Sequence, residues 1–480
     1  MNILFATSEV FPLIKTGGLG DVSHSLPMAL QAMGHQVALI LPGYRSVKQK
    51  LGQADSYFRL QDDFLRNDVT LSLYQNSVLG MPLYLVESPS LYDRNGGPYE
   101  SDSGSDWEDN ADRFTQYCRA VVCLLNGGAE DLSVCFDVVH CNDWQTGLIP
   151  AFLSRLQLPV KSVFTIHNLA YQGVFDHATF KHLKLPADWW HMESLEFYGN
   201  FSFLKAGIVY SDWVTTVSPT YAREIMTEPA ACGLGGLLLH NRHKIIGILN
   251  GVDYEVWNPA TDPHVRFHFD KHSLPEKINN KLDIQRDSGL RLSKSTPLIG
   301  VVSRLVEQKG IDWIVSAMAA TLGEKVQWII LGAGAPYYEK SLQELAQVNP
   351  KTIAVEIGYD EALAHRIEAS CDLFAMPSRY EPCGLNQIYS LRYGSLPIVR
   401  RTGGLADTVV DANELALTQG TATGFCFEES SANALIGTVR RAIGLYSRRK
   451  TWESMQRNAM EQRFDWQHSA QAYLELYEQE

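Results

Sequence analysis

The sequence predicts an α/β protein built from two doubly wound domains. Short apolar runs rich in Val and Ile recur along 480 residues: "NILFATS", "QVALILP", "LYLVES", "DVVHC", "SVFTIH" and "WVTTVS", then "IIGILNG", "LIGVVSR", "VQWIILG", "IAVEIG", "LFAMPS" and "LPIVRR". Their length and composition suit strands buried on both faces. Helical stretches alternate with them, and this alternation predicts parallel sheets. A dozen strands exceed one comfortable open sheet, so two domains are expected.

The break is expected near His240 to Lys244, dividing the chain into 1–243 and 244–456. In the second part Ile311, Ile314, Met318 and Leu322 share one helical face. Residues 457–480 predict a closing helix, with Trp466, Ala470, Tyr473, Leu474 and Tyr477 on one stripe that suits either domain. Between Ser88 and Arg113, a Gly-, Ser- and Asp-rich stretch interrupts the first part. It reads equally as a solvated insertion or as a binding loop, with Tyr92, Tyr99 and Trp107 as aromatic faces for sugar rings.

Composition narrows the partners. The net charge of −13 repels nucleic acid and anionic membranes, so an anionic ligand needs a local cluster of cations. No apolar run reaches membrane-spanning length, and the start shows no basic region or cleavage site of a signal peptide. The eight cysteines form no C-x-x-C pair and read as reduced thiols of a cytoplasmic protein. No phosphate-loop signature, H-E-x-x-H pair, clustered Cys/His zinc pattern or G-x-S-x-G elbow is present, and "GAGAPY" lacks the third glycine of a dinucleotide fingerprint.

The informative residues follow predicted strands. "KTGGLGDV", with Lys15, Gly17 and Gly18, links the first strand to a helix. "RTGGLADTVV", with Gly403 and Gly404, repeats the device after "LPIVR". Glycines admit close backbone approach, and helix starts attract anions. Either copy alone is an ordinary connector. Asp143 in "HCNDWQTG", His167 and Asn168 in "HNLAYQG", Arg304 and Lys309 in "SRLVEQKG" and Glu381 in "RYEPCGLNQ" share the same address. Ligands of open parallel sheets bind beyond the carboxyl ends of the strands. The expectation is therefore two Rossmann-like domains whose strand ends face a common cleft. Arg304 and Lys309 are placed to reach one diphosphate, and Arg400 with Arg401 is a second possible pair. Taken singly, Asp143 reads as well as a helix start, His167 as a buried hydrogen-bonded histidine, and Glu381 as a carboxylate paired with a helix dipole.

Together "KTGGLGDV", "HCNDWQTG", "FTIHNLAYQG", "ILNGVDYEVWNP", "SRLVEQKG", "PSRYEPCGLNQ" and "RTGGLADTV" resemble the starch synthase type of retaining glycosyltransferases, as found in bacterial glycogen synthases, along essentially the whole chain. The resemblance implies the GT-B architecture of two Rossmann-like domains, an acceptor-side first domain, a donor-side second domain and a last helix that returns to the first. It implies transfer of glucose from ADP-glucose to the non-reducing end of an α-1,4-glucan with retention, without metal or cofactor. Glu381 matches the catalytic carboxylate, and His167 would hold the glucose ring at its C6 hydroxyl. Lys15, Gly17, Gly18, Arg304, Lys309, Tyr359, Cys383, Gly384, Leu385, Gly403 and Gly404 would bind the donor, with Tyr359 stacked on adenine. Asp143, Asn168 and Tyr99 would line the acceptor side. A UDP-glucose donor or a small acceptor is the alternative. Two positions depart from related enzymes: Tyr389 stands where a second Glu is common, and Asn386 where a Thr often follows "EPCGL".

Overall fold

The computed structural model describes residues 1–75 and 77–479. The chain divides into two compact units, Met1–Gly251 with Trp466–Glu480, and Val252–Asp465.

In the first unit the strands are β1 (Asn2–Ala6), β2 (Gln36–Pro42), β3 (Ser56–Arg59), β4 (Thr70–Tyr74), β5 (Leu83–Glu87), β6 (Val138–Asn142), β7 (Lys161–Ile166), β8 (Val174–Phe175), β9 (Glu196–Phe197), β10 (Asn200–Ser202), β11 (Trp213–Thr216) and β12 (Ile245–Gly247). Nine of them form one sheet in the order β12-β11-β7-β6-β1-β2-β5-β4-β3. From β12 to β5 the neighbours run parallel, whereas β3 and β4 form an antiparallel edge. The remaining β8, β9 and β10 make a small antiparallel sheet.

The expected boundary at 243/244 moves to Gly251/Val252. The reason is β12, which pairs in parallel with β11 and so completes the first sheet instead of opening the second. The second crossing falls at Asp465/Trp466. Residues 457–465 stay in the second unit: 457–461 are the last residues of the helix Arg449–Glu461, which buries Trp452, Met455 and Ala459 in that unit's core.

The last helix, Trp466–Glu478, belongs to the first unit, and its whole expected stripe is buried. The Tyr477 hydroxyl lies 2.6 Å from His140 Nδ1, and the other ring nitrogen lies 2.6 Å from Thr165 Oγ1. Burial holds the His140 pKa down to about 3, so this imidazole is a neutral anchor for the helix.

In the second unit β13 (Leu298–Val302), β14 (Gln327–Gly332), β15 (Ile353–Ile357), β16 (Leu373–Met376), β17 (Leu396–Arg400) and β18 (Phe425–Phe427) form a parallel sheet in the order β15-β14-β13-β16-β17-β18. Alternate residues enter separate cores. Trp328 and Ile330 of β14 pack on one side, Ile329 and Leu331 on the other. Helices therefore cover both faces, which explains the continuous apolar runs. Ile311, Ile314 and Met318 are buried as expected, but the helix ends at Ala320 and Leu322 lies beyond it, exposed.

The 88–113 stretch is folded. Arg113 is 1% exposed and donates to Leu91 O, Pro98 O and Asn110 Oδ1. Arg94 pairs with Asp109 and stacks on Trp107. Tyr92 is a core residue whose hydroxyl donates to Arg113 O, so it offers no face to a sugar.

Candidate active site

Strand order, not chain order, assembles the first group of residues. β7, β6 and β1 are neighbours, so the segments leaving their carboxyl ends lie side by side. These carry His167, Asn142–Asp143 and Thr7–Glu9.

Asp143 has φ 55° and ψ −178°, a backbone conformation that costs a non-glycine residue about 1–3 kcal/mol. Its carboxylate Oδ1 accepts the His167 N–H at 2.8 Å. Burial is the largest influence on this group and, with the nearby Glu9 charge, outweighs the amide hydrogen bonds; the pKa is pushed up to about 7. Asp143 thus exchanges its proton near neutral pH. A carboxyl whose folded pKa exceeds its unfolded value of 3.8 stabilises the fold fully below that value and loses the contribution as pH rises through 7. Asp143→Asn keeps the acceptor oxygen and removes the charge. It is expected to raise Tm at pH 8 by about 2–4 °C and to change Tm little at pH 4, while activity falls. Paired thermal melts at the two pH values check this, and an equal shift at both would contradict it.

His167 Nε2 lies 2.9 Å from Asn142 Oδ1, while Asn142 Nδ2 donates to Ala6 O. Because the amide oxygen can only accept, Nε2 carries the proton and Nδ1 is left as an acceptor. Enclosure lowers the His167 pKa to about 3, so the ring is neutral and suited to receive a hydroxyl hydrogen. Asn168 lies next to it, its Oδ1 accepting the Ala170 N–H. Asn142 was not among the residues expected from sequence, although it sits in the same strand-end motif as Asp143.

The first Gly-Gly turn leads into the helix Gly18–Ala32. A Cβ on Gly17 or Gly18 would meet no atom within 4 Å, so both face open space. Lys15 pairs with Asp21 at 2.8 Å. Glu9, 3% exposed, accepts the N–H groups of Thr16 and Gly17 and the Thr16 hydroxyl. The Tyr99 hydroxyl donates to the same carboxylate at 2.6 Å.

In the second unit the adjacent strands β13, β16 and β17 bring three loops together. Glu381 is 6% exposed; its Oε2 accepts from Lys309 Nζ at 2.6 Å and from Ser378 Oγ at 2.8 Å. Lys309 reaches it because Gly310, at φ 68°, packs under Pro377, where a Cβ would lie 2.4 Å from the carbonyl oxygen. Arg379 N–H donates to Gln308 O, and the Arg379 guanidinium forks onto Asp312 at 2.8 and 2.7 Å. Arg304 follows β13 and is exposed.

The second Gly-Gly turn differs from the first. A Cβ on Gly403 would lie 2.0 Å from Glu381 O, and one on Gly404 2.0 Å from Cys383 O. The Gly404 N–H donates to Glu381 O and Pro382 O. These glycines seat the Glu381 loop against β17. Cys383 is buried beside them, Gly384 has φ 71°, and Leu385 precedes the helix Asn386–Arg392.

The pair Arg400 and Arg401 does not converge on one point. Arg400 donates to Ser378 O and Arg379 O, and Arg401 pairs with Glu428 at 2.7 Å. Tyr359 follows β15, the sheet edge two strands from β13, with 83% of its surface exposed. The two sequence departures also find their places. Asn386 Nδ2 donates to Val302 O, and Tyr389 stacks on Trp257 with ring centroids 3.8 Å apart.

A family model described as the starch synthase catalytic domain matches residues 2–240, and one described as glycosyl transferases group 1 matches 285–461. The chain is 49% identical to glycogen synthase 2 of Nitrosococcus oceani over 478 residues, covering 100% of this chain and 97% of that one. This chain belongs to the bacterial glycogen synthase family. Another member, the glycogen synthase of Marinobacter nauticus, is 46% identical over 99% of this chain and 97% of its own. Among solved structures, the catalytic domain of starch synthase IV from Arabidopsis thaliana, bound to ADP and acarbose, superposes with a TM-score of 0.84. It is 32% identical, with 99% of this chain and 98% of that one covered. The family fold is GT-B, and a member of the family is a retaining glucosyltransferase. Among the described residues no helix is long and apolar enough to cross a membrane, and no group of three His, Cys, Asp or Glu could hold a metal ion.

Proposed function

We propose that this enzyme transfers glucose from ADP-glucose to the non-reducing end of an α-1,4-glucan, with retention, in the cytoplasm. The carrying observation is the Lys309–Glu381 pair, an ammonium and a carboxylate 2.6 Å apart at neighbouring strand ends. Transfer breaks the bond between glucose C1 and the diphosphate oxygen, leaving positive charge on the sugar and negative charge on the leaving group. A carboxylate serves the first and an ammonium the second. Donors and charges preorganised at the places where charge develops are worth about 3–4 kcal/mol each.

Arg304 and Lys309 stabilise the departing diphosphate, and Lys15 with the first-turn amides from Gly18 binds the donor. Glu381 holds the donor sugar as its C1 becomes electron-poor. His167 Nδ1 accepts from the sugar hydroxyl at C6. Cys383, Gly384, Leu385, Gly403 and Gly404 shape the donor side around Glu381, and Tyr359 stacks on adenine. Asp143, Asn168 and Tyr99 bind the acceptor. The acceptor hydroxyl attacks C1 on the face from which the diphosphate leaves, and its proton passes to the departing phosphate oxygen. The eight cysteines, none of them in a disulfide, suit a reducing compartment.

Incubation with radiolabelled ADP-glucose and glycogen is expected to put label into precipitable glucan. UDP-glucose is expected to serve much less well. Absence of label from ADP-glucose would overturn the proposal.

A further inference from the structure

One buried group in the first unit has no role in the chemistry above. The Glu9 carboxylate receives four hydrogen bonds. Oε2 accepts from Thr16 N at 2.5 Å and Gly17 N at 3.2 Å. Oε1 accepts from Thr16 Oγ1 and from Tyr99 Oη, both at 2.6 Å. The same Tyr99 hydroxyl is 2.7 Å from Ser8 Oγ. All four donors come from two segments that are far apart in sequence: the turn that precedes the helix Gly18–Ala32, and the folded 88–113 loop.

The placement is unusual for an anion-gripping turn. A resident carboxylate already occupies the N–H groups of Thr16 and Gly17. An incoming anion is left the Gly18 and Leu19 N–H groups at the helix start and the Lys15 ammonium, which it would share with Asp21. Glu9 therefore sets the direction in which the turn presents them. Its other oxygen fixes Tyr99, whose loop is otherwise held by Arg113 and by Asn110, which donates to Tyr99 O.

We propose that Glu9 is a positioning residue that locks the donor-gripping turn Lys15–Gly18 and the acceptor-side Tyr99 into one rigid unit. This inference rests on the functional reading above. Both substrates' sites then depend on a single carboxylate that touches neither substrate, and a change on the acceptor side is felt at the donor turn.

Two substitutions test it. Glu9→Gln keeps size and shape but removes the charge: with the amide oxygen on the Thr16 and Gly17 N–H groups, the NH2 group faces the Thr16 and Tyr99 hydroxyls, which lose their shared acceptor. Tyr99→Phe deletes only the hydroxyl. Wild type is assayed first with ADP-glucose and glycogen, so a failure of the functional reading appears there, before any variant is compared. With wild type active, Glu9→Gln is expected to raise the KM for ADP-glucose about tenfold, with kcat within about threefold of wild type. Tyr99→Phe is expected to raise the KM for glycogen and also that for ADP-glucose, the latter about two- to threefold. In the double variant the donor KM should stay at the Glu9→Gln value instead of multiplying. An unchanged donor KM in either single variant, or multiplication in the double, overturns the proposal. A merely structural Glu9 would lower Tm and active fraction without this selective rise in donor KM. If Glu9→Gln shows no cooperative melt, Tyr99→Phe decides: a raised donor KM supports the link and an unchanged one refutes it.

Discussion

Glu381→Ala is expected to lower kcat by about 10²–10³-fold, the scale seen when a preorganised electrostatic group is removed from a reacting centre. The KM for ADP-glucose should change only a few-fold. The geometry supports this split. Glu381 is almost wholly buried and fixed by Lys309 and Ser378, so its carboxylate has a single orientation. A group held this firmly contributes most where charge appears during bond breaking, and little to the resting donor complex. Lys309→Ala should instead raise the donor KM about tenfold or more, because its ammonium serves the diphosphate, and lower kcat less than Glu381→Ala does, because Glu381 then loses one of the two groups that fix it. Such a rise corresponds to the roughly 1.5–3 kcal/mol of a hydrogen bond to a charged group. Steady-state kinetics with ADP-glucose varied at saturating glycogen separate the two. Near-normal kcat in Glu381→Ala would remove this carboxylate from the mechanism.

The second large effect is steric and separates the two Gly-Gly turns. Gly404→Ala places a methyl 2.0 Å from Cys383 O and 2.6 Å from Cys383 Cα, both backbone atoms that no rotamer change can move aside. The Glu381 loop must shift by about an ångström, and a displacement of that size costs on the order of 10² in rate. A stability loss of about 1–3 kcal/mol should accompany it. Gly18→Ala meets nothing within 4 Å and sits in the first turn of a helix, where alanine is tolerated well. Its Tm should match or slightly exceed wild type, while the donor KM rises about tenfold because the methyl fills space meant for the diphosphate. Thermal melts and kinetics on the two variants provide the comparison. A Gly18→Ala enzyme with wild-type donor KM would show that no anion approaches that turn.

Parts of the fold were legible because burial on both sheet faces leaves an unbroken apolar run, as in "LIGVV" and "QWIIL". Other strands carried no such signal. "SYFR" at the sheet edge alternates half-buried with exposed residues, and β8 and β9 have only two residues each. "IIG" reads as the opening strand of the second domain, and only its pairing with β11 assigns it to the first unit. Lys309 and Glu381 stood out by their strand-end addresses. Glu9 did not, because a lone carboxylate in "ATSEV" reads as a surface charge until Thr16, Gly17 and Tyr99 fold around it. The two Gly-Gly turns share a sequence pattern, yet one faces open space and the other lies packed on the Glu381 loop.

By itself, then, the amino-acid order determined the alternation of strand and helix and the gathering of polar residues at strand ends, since both follow from side-chain periodicity within a few residues. Only the tertiary structure decided which strand ends are neighbours. In the order β7-β6-β1, β1 (Asn2–Ala6) becomes adjacent to β6 (Val138–Asn142), and in β13-β16-β17 the second unit likewise joins β13 (Leu298–Val302) to β16 (Leu373–Met376) across two intervening strands. That order is set by the packing of helices on both faces of the finished sheet, a non-local interaction that no short stretch of sequence encodes.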